Sequence, residues 1–388
     1  MLDGRRIYFV GIGGAGLSSY AFLARAWGAE VAGWDQRDTP YLRHLEGVPV
    51  DVSGDPSPPE GWEVVVSSAY AGRVAGRSRA EFLAELVSLR EAIVVAGAHG
   101  KTTTTAMIAF ALRELGRDPA WLVGGEVPQL GGNAGAGAGW LVVEGDESDR
   151  TVAQLRPRVA VVLNVELDHH ASFASEAELR DLLERWVEAA PAAVRGWELE
   201  PTGFELAVPG RHNRLNAAAA LAALELAGVA PEEAAPAIAR FRGVGRRFQI
   251  VGEAGGVTVI DDYAHHPSEI SALLAAARER HDARLLVLFQ PHLYSRTRHL
   301  AAAFGSALSA ADAVCVTYIY AAREEPVEGV DGHLVVRALA PAVRAGWAPT
   351  VEDGVDVVRS WARRGDVVLT VGAGDVDRAG LLLLEALG

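Results

Sequence analysis

Short apolar runs, each followed by a glycine-rich or acidic turn and then by a helical pattern, recur along this chain. Residues 7–10 form a strand-like run and residues 11–16 a turn. Apolar positions at helical spacing then lead to Trp27, and a second strand run covers 30–34. Residues 64–67 read as a further strand, and the turn-rich stretch 53–61 as a surface loop. The alternation starts again with a buried-strand run at 93–96 and a glycine-rich turn. A helix is predicted over 102–115, strands over 141–143 and 159–163, and an alanine- and leucine-rich helix over 213–227. The stretch 131–139 is so rich in Gly and Ala that a mobile loop is expected there. A third round places strands at 257–260, 285–289, 313–317 and 367–371, separated by helical stretches such as 268–280. Strands alternating with helices predict parallel sheets covered by helices, an α/β class. The three rounds divide the chain at residues 1–91, 92–242 and 243–388, with no short internal repeat.

A length of 388 residues fits two or three cores rather than one. No apolar run approaches the roughly 20 residues that a membrane helix needs, and the first residues lack a signal-peptide layout. The expected location is the cytoplasm, with no membrane partner. A single cysteine, Cys315, excludes an intramolecular disulfide framework. The formal charge of −14 argues against nucleic acid as a partner, because such binding runs on dense basic patches. An anionic ligand must therefore meet its own local cations. One count is sharper: Lys and Arg total 36, yet Lys101 is the one lysine. Lysine is a compact charge on a flexible stem and arginine a broad planar fork. A site that must place one ammonium among phosphate oxygens has reason to resist the exchange.

Lys101 lies in Gly97-Ala98-His99-Gly100-Lys101-Thr102-Thr103, after a strand run and at the start of a helix, the context that a phosphate-binding loop requires. The glycines let successive N–H groups face phosphate oxygens, and the helix N-terminus adds partial positive charge. Lys101 would neutralise the transferring phosphate, and Thr102 would bind Mg²⁺. Gly11-Ile12-Gly13-Gly14-Ala15-Gly16 fits a Gly-x-Gly-x-x-Gly fingerprint with Asp35 near the end of the next strand. Alone, this fits NAD or a UDP group equally well, and it also fits close helix–strand packing with no ligand. Glu144-Gly145-Asp146-Glu147-Ser148-Asp149 and Asn164-Val165-Glu166-Leu167-Asp168-His169-His170 each follow a strand run, at the strand ends where ligands gather. Carboxylate oxygen and imidazole nitrogen suit Mg²⁺ there, with Glu144 and His169 as the chosen ligands and the other residues as support. Residues 210–216, with His212, Asn213 and Asn216, hold either ordinary caps or groups for an adenine edge. Arg246 and Arg247, then Asp261-Asp262-Tyr263-Ala264-His265-His266-Pro267, then Gln290-Pro291-His292-Leu293-Tyr294-Ser295-Arg296, gather charge at strand ends. Burying such charge unpaired would cost several kcal/mol per ion, so a binding cleft explains it better than packing. An arginine fork suits a carboxylate. Gly372-Ala373-Gly374-Asp375 adds a turn after the last strand run.

Taken together and in this order, GIGGAG (11–16), GAHGKTTTT (97–105), EGDESD (144–149), ELDHH (166–170), PGRHNRLNAAAA (209–220), GVGRRF (243–248), DDYAHHPSEI (261–270), FQPHLYSRTR (289–298) and GAGD (372–375) resemble the Mur ligase family over nearly the whole chain. DDYAHHP and FQPHLYSRT discriminate most, and the latter is similar to the alanine-adding branch rather than to the peptide-recycling branch. The resemblance implies a Rossmann-like N-terminal domain for a UDP-sugar, a P-loop ATPase-like central domain for ATP, and a Rossmann-like C-terminal domain for the amino acid. It implies UDP-N-acetylmuramate, L-alanine and ATP as small-molecule substrates and one or two Mg²⁺ ions, with the muramoyl carboxylate activated as an acyl phosphate. Gly11, Gly13, Gly14, Ala15, Gly16, Asp35, Ser67 and Ser68 then fall in the UDP-sugar set. Gly97, Ala98, His99, Gly100, Lys101, Thr102, Thr103, His212, Asn213, Asn216 and His266 fall in the ATP set. Tyr263, His292 and Arg296 fall in the amino-acid set, Thr102, Glu144 and His169 hold metal, and Lys101, Glu144, His169 and Arg247 act in catalysis. The chain departs from the family at Ala98, where threonine is usual, and after Ser67-Ser68-Ala69, where an Asn-Pro pair is usual. Between Ala171 and Pro209 it is much shorter than the family, so the central domain is expected to be trimmed. With Lys101 the one lysine, a carbamylated lysine at the metal is excluded. A nicotinamide-dependent oxidoreductase would explain residues 11–16 and Asp35 but not the phosphate loop. A related ligase for a tripeptide, or a non-catalytic nucleotide-sensing relative, would carry the same loops. The sequence carries no signal for an oligomeric state.

Overall fold

The computed structural model describes residues 1–147, 150–167, 173–322 and 324–388. Contacts divide them into two units, Met1–Leu206 with Leu215–Arg242 and Ala207–Arg214 with Gly243–Gly388. The first unit holds two sheets. Strands β1 (Arg6–Val10), β2 (Glu30–Trp34), β3 (Val50–Asp51), β4 (Glu63–Val66) and β5 (Arg77–Ser78) form a parallel sheet in the order β3-β2-β1-β4-β5. Helix α1 (Ala15–Ala26) follows β1, and α2 (Arg79–Ser88) follows β5. A reciprocal cap between Ser78 and Glu81 starts α2 by satisfying two N–H groups that the first turn leaves without partners.

The central sheet contains β6 (Ala92–Ala96), β7 (Ala120–Leu122), β8 (Ala134–Ala136), β9 (Leu141–Glu144), β10 (Val159–Val162) and β11 (Ala192–Arg195), in the order β11-β10-β6-β9-β7-β8. Helices α3 (Lys101–Glu114) and α4 (Glu176–Glu188) follow β6 and β10, and α5 (Arg211–Leu226) and α6 (Pro231–Ala239) come later in the chain. Every residue of β6 is buried, which is why its sequence is continuously apolar rather than alternating. One apolar cluster runs through both sheets, from Phe9 and Phe82 to Val94, Val143 and Trp186.

The expectation of a mobile loop over 131–139 is corrected. Residues 134–136 pair antiparallel with β7, and Gly135 faces the Trp121 ring so closely that a Cβ there would sit 2.2 Å from it. Gly135, Gly137 and Gly139 record close packing rather than freedom. Asn133 is buried and donates to Ser19 Oγ on α1 at 2.9 Å. The trimmed central domain appears as expected. Described residues 173–209 hold α4, β11 and one short 3-10 turn, with no second small sheet.

The second unit holds β12 (Gln249–Ala254), β13 (Val257–Asp262), β14 (Leu285–Phe289), β15 (Ala313–Val316), β16 (Arg344–Trp347) and β17 (Val367–Val371) in the order β12-β13-β17-β14-β15-β16. All pairs are parallel except β12 with β13. Helices α7 (Pro267–Arg280), α8 (Tyr294–Leu308), α9 (His333–Ala338), α10 (Val351–Trp361) and α11 (Arg378–Leu387) cover it. Alternation along β14 decides the layers: Leu285, Val287 and Phe289 enter one apolar cluster, and Leu286 and Leu288 the other. Among the described residues, no helix is long and apolar enough to cross a membrane.

Candidate active site

In each sheet, the chemistry-bearing residues stand just past the carboxyl ends of the middle strands. In the first sheet, Val10 pairs with both Trp34 and Val66, so the segments beginning at Gly11, Asp35 and Ser67 emerge side by side. Gly11 has φ +87, and a Cβ on it would lie 2.7 Å from Ser67 Cβ, so only glycine fits this turn. Asp35 is buried and accepts a hydrogen bond from Gly13 N at 2.8 Å. Thr39 donates to Gly13 O at 2.7 Å. Asp35 therefore braces the loop with one oxygen, while the other accepts from Tyr70 Oη at 3.4 Å. Burial, followed by the Asp35 charge, pushes the Tyr70 hydroxyl up from its ordinary value. Gly14 caps α1, with Ala15 and Gly16 in its first turn, and Ser68 is exposed at the rim.

In the central sheet, β6 lies between β10 and β9. The loop at 97–100 therefore lies beside the segments that start at Leu163 and Gly145. Gly97 and Gly100 have φ +127 and +86, and Gly100 caps α3. Asn164 clamps the loop in both directions: its Oδ1 accepts from His99 N at 2.8 Å and its Nδ2 donates to His99 O at 2.9 Å. His99 Nε2 lies 2.9 Å from Glu166 Oε2. Ala98 sits within this curl. Its carbonyl and that of Gly97 accept from Lys101 Nζ at 3.4 and 2.7 Å. The Lys101 ammonium also pairs with Glu147 Oε1 at 2.9 Å, and that carboxylate is only 3% exposed. Burial pulls the Lys101 pKa down, but Glu147, with Asp146 and Glu144, holds it above the ordinary value, so lysine stays charged. Thr102 Oγ1 donates to Glu144 Oε2 at 3.1 Å. Gly124 N donates to the other Glu144 oxygen. Thr103 is buried in α3. Asn216 stands against the loop, since a Cβ on Gly100 would meet its Oδ1 at 2.4 Å. His169, the other proposed metal ligand, lies outside the described residues, as do Ser148, Asp149, Asp168 and His170.

In the second unit, Asp262, Val371 and Phe289 pair across adjacent strands, so the segments at 263, 372 and 290 leave the sheet together. Arg246 and Arg247 both lie over the Tyr263 ring at 5.1 Å. Arg246 donates to Asp261 Oδ2 at 3.1 Å and to Gly372 O at 2.8 Å, and Arg247 lies 3.6 Å from Glu269. Arg296 is buried, with Nη1 3.0 Å from His292 Nδ1, and the His292 ring stacks on Tyr320 at 5.9 Å. Arg246, Phe248 and Leu293 hold φ of +59, +50 and +68, left-handed conformations that side chains disfavour and that cluster here around one strand edge. His266 is buried at the N-cap of α7, where Glu269 reaches back to its N–H at 3.3 Å. Asp262 is pushed up to about 6 by burial, against the Arg247 charge and the N–H groups of Phe248 and Ala264. His212 and Asn213 also belong to this unit. Asn213 Nδ2 donates to Pro209 O at 2.7 Å. Burial, then the charges of Arg247 and Arg214, brings His212 down to about 4 and keeps its ring neutral.

The sequence reading did not single out Tyr70, Gly124, Arg79 or Tyr320. None stands in a glycine or acid motif, and each reaches its site by strand pairing rather than by nearness in the chain.

The family described as the Mur ligase middle domain matches residues 95–193, and that described as Mur ligase, glutamate ligase domain matches residues 246–374. A UDP-N-acetylmuramate–L-alanine ligase of Thermobifida fusca is 39% identical over 462 residues, covering 99% of this chain and 97% of that protein. The corresponding protein of Streptomyces coelicolor is 40% identical over 451 residues, covering 98% and 97%. Both alignments exceed the 388 residues of this chain, so each relative carries residues with no counterpart here. The crystal structure of a UDP-N-acetylmuramate-alanine ligase from Thermotoga maritima has a TM-score of 0.81 at 28% identity and covers 98% of both chains. A murein peptide ligase from Psychrobacter arcticus shares the fold, with a TM-score of 0.65 at 24% identity over 99% of both chains.

Proposed function

The chain belongs to the Mur ligase family, and from that premise we propose that it is an ATP-dependent carboxylate–amine ligase joining L-alanine to the carboxylate of UDP-N-acetylmuramate, a step of peptidoglycan precursor synthesis. The observation that carries this reading is the Lys101 ammonium, half-buried and held by Gly97 O, Ala98 O and Glu147 at the head of α3. A nicotinamide oxidoreductase would leave that arrangement without a use.

A carboxylate is a poor acyl donor, and phosphorylation supplies a leaving group. A carboxylate oxygen attacks the γ-phosphorus of ATP, and ADP leaves. The neutral amine of alanine then attacks the acyl carbon, sheds a proton, and the phosphate departs as the amide forms. The loop N–H groups and Lys101 bind and neutralise the transferring phosphoryl group. Asn164 fixes the loop's curl, and Glu147 holds the ammonium in place. Asn216 borders the loop, and His212, Asn213 and His266 are the second unit's candidates for ATP binding. Residues 11–16 with Asp35, Ser67 and Ser68 hold the UDP-sugar. Tyr263, His292 and Arg296 receive the amino acid, and Arg247 supplies charge for phosphate.

The donor set beside the phosphate loop fits Mg²⁺. Thr102 Oγ1 and Glu144 Oε2, both hard oxygens, stand 3.1 Å apart. Thr102 and Glu144, with His169, would hold the ion, which when bound neutralises phosphate charge.

The test is phosphate release with an amino-acid panel. The reading predicts release only when ATP, UDP-N-acetylmuramate and an amino acid are all present, with alanine preferred. Glycine and serine differ from it by little, worth about 1–3 kcal/mol of discrimination. Release from ATP alone, or none with all three, counts against it.

A further inference from the structure

An anion held at residues 11–16 meets a difficulty. The glycines' nearest neighbours are Asp35, Thr39, Ser67, Tyr70 and Arg79, and Asp35 is a buried acid. Backbone N–H groups and the start of α1 supply only partial positive charge. A diphosphate placed there would be held more firmly with a full cation close by.

Arg79 is the one cation among those neighbours. It is the first residue of α2, right after β5, and so stands at the same strand edge as the glycine loop. Its Nη1 would lie 3.6 Å from a Cβ on Gly16. Its Nη2 donates to Asp146 Oδ2 at 3.0 Å, on the segment that leaves β9 of the central sheet. That segment also carries Glu147, the partner of Lys101. The guanidinium thus sits with one edge toward the loop of the first sheet and the other on the acid cluster of the central sheet.

We infer that Arg79 is a substrate-binding residue: its Nη1 edge binds a phosphate oxygen of the sugar nucleotide held at residues 11–16, while Asp146 acts as a positioning residue that orients the fork. This rests on the ligase reading above. A planar fork can hold a carboxylate on one edge and a phosphate on the other, which a lysine ammonium cannot do with the same geometry. The glycine at position 16 leaves room between loop and guanidinium, where a larger residue would place its side chain.

The test is steady-state kinetics of Arg79→Gln, Arg79→Lys and Asp146→Asn with each substrate varied in turn, and thermal unfolding of each variant alongside. Arg79→Gln should raise KM for UDP-N-acetylmuramate about 10- to 100-fold and leave KM for ATP and alanine within about twofold. Arg79→Lys should recover part of that loss, and Asp146→Asn should raise the same KM by a smaller factor. An unchanged KM for UDP-N-acetylmuramate in Arg79→Gln overturns the inference. So does an equal rise in all three KM values, or a loss that follows melting temperature alone, since a purely structural arginine would give that. A wild-type protein that does not turn over UDP-N-acetylmuramate at all would instead defeat the ligase reading itself.

Discussion

In the proposed function, Lys101 is where a single residue bears most of the chemistry. Its ammonium is held by two loop carbonyls and a buried carboxylate, so its position is set before any ligand arrives. Lys101→Ala should lower kcat by at least about 10³-fold while the melting temperature changes little. Lys101→Arg should also lose most activity, because a planar fork cannot occupy the pocket of Gly97 O, Ala98 O and Glu147. Near-normal turnover by the arginine variant would contradict the role given to this ammonium. His212 makes a separate prediction about pH. In the folded protein it titrates near 4, against an ordinary value of 6.5. As pH falls from 6.5 to 4 the unfolded chain takes a proton that the folded chain refuses, so stability is lost. Asp262, raised to about 6, works in the opposite direction, losing stability as pH rises through the same range. It does so equally in wild type and variant, so it cancels in a difference. Relative to His212→Gln, the wild type should therefore lose about 3 kcal/mol of stability between pH 6.5 and pH 4. Parallel pH dependence of the two proteins in denaturant unfolding would refute it.

At the scale of elements, the recurring strand–turn–helix unit does the positioning. Gly100 links the end of β6 to the start of α3 with φ +86, and Asn216 closes the space where a side chain would go. Gly100→Ala should cost at least about 1–2 kcal/mol from backbone strain and raise KM for ATP at least tenfold. Gly116→Ala provides the control: φ is +67 but nothing lies within 4 Å, so it should show the strain in urea unfolding without the effect on ATP. Much of this scale was legible in the chain. The run Ala92–Ala96 followed by glycines and Lys101 announces strand, loop and helix, and the acids after β9 announce a strand end. Tyr70 and Gly124 were not legible, because their partners, Asp35 and Glu144, are reached only through sheet order. The Gly- and Ala-rich stretch at 131–139 misled for a related reason: the small residues are there because Trp121 packs against Gly135, a long-range contact that composition does not reveal.

Across the whole molecule, a net charge of −14 coexists with single cations placed locally at strand ends, Lys101 after β6 and Arg79 after β5. The shortened stretch between Ala171 and Pro209 leaves three sheets among the described residues, and the phosphate loop keeps Asn164, Glu147 and Asn216 beside it. In the proposed ligation, phosphoryl transfer onto the carboxylate precedes amide formation. Its most direct test uses UDP-N-acetylmuramate labelled with ¹⁸O in the muramoyl carboxylate, turned over with ATP and L-alanine, followed by mass analysis of the released phosphate. One labelled oxygen should appear in the phosphate for each amide formed. Unlabelled phosphate released alongside amide product would rule out the acyl-phosphate route.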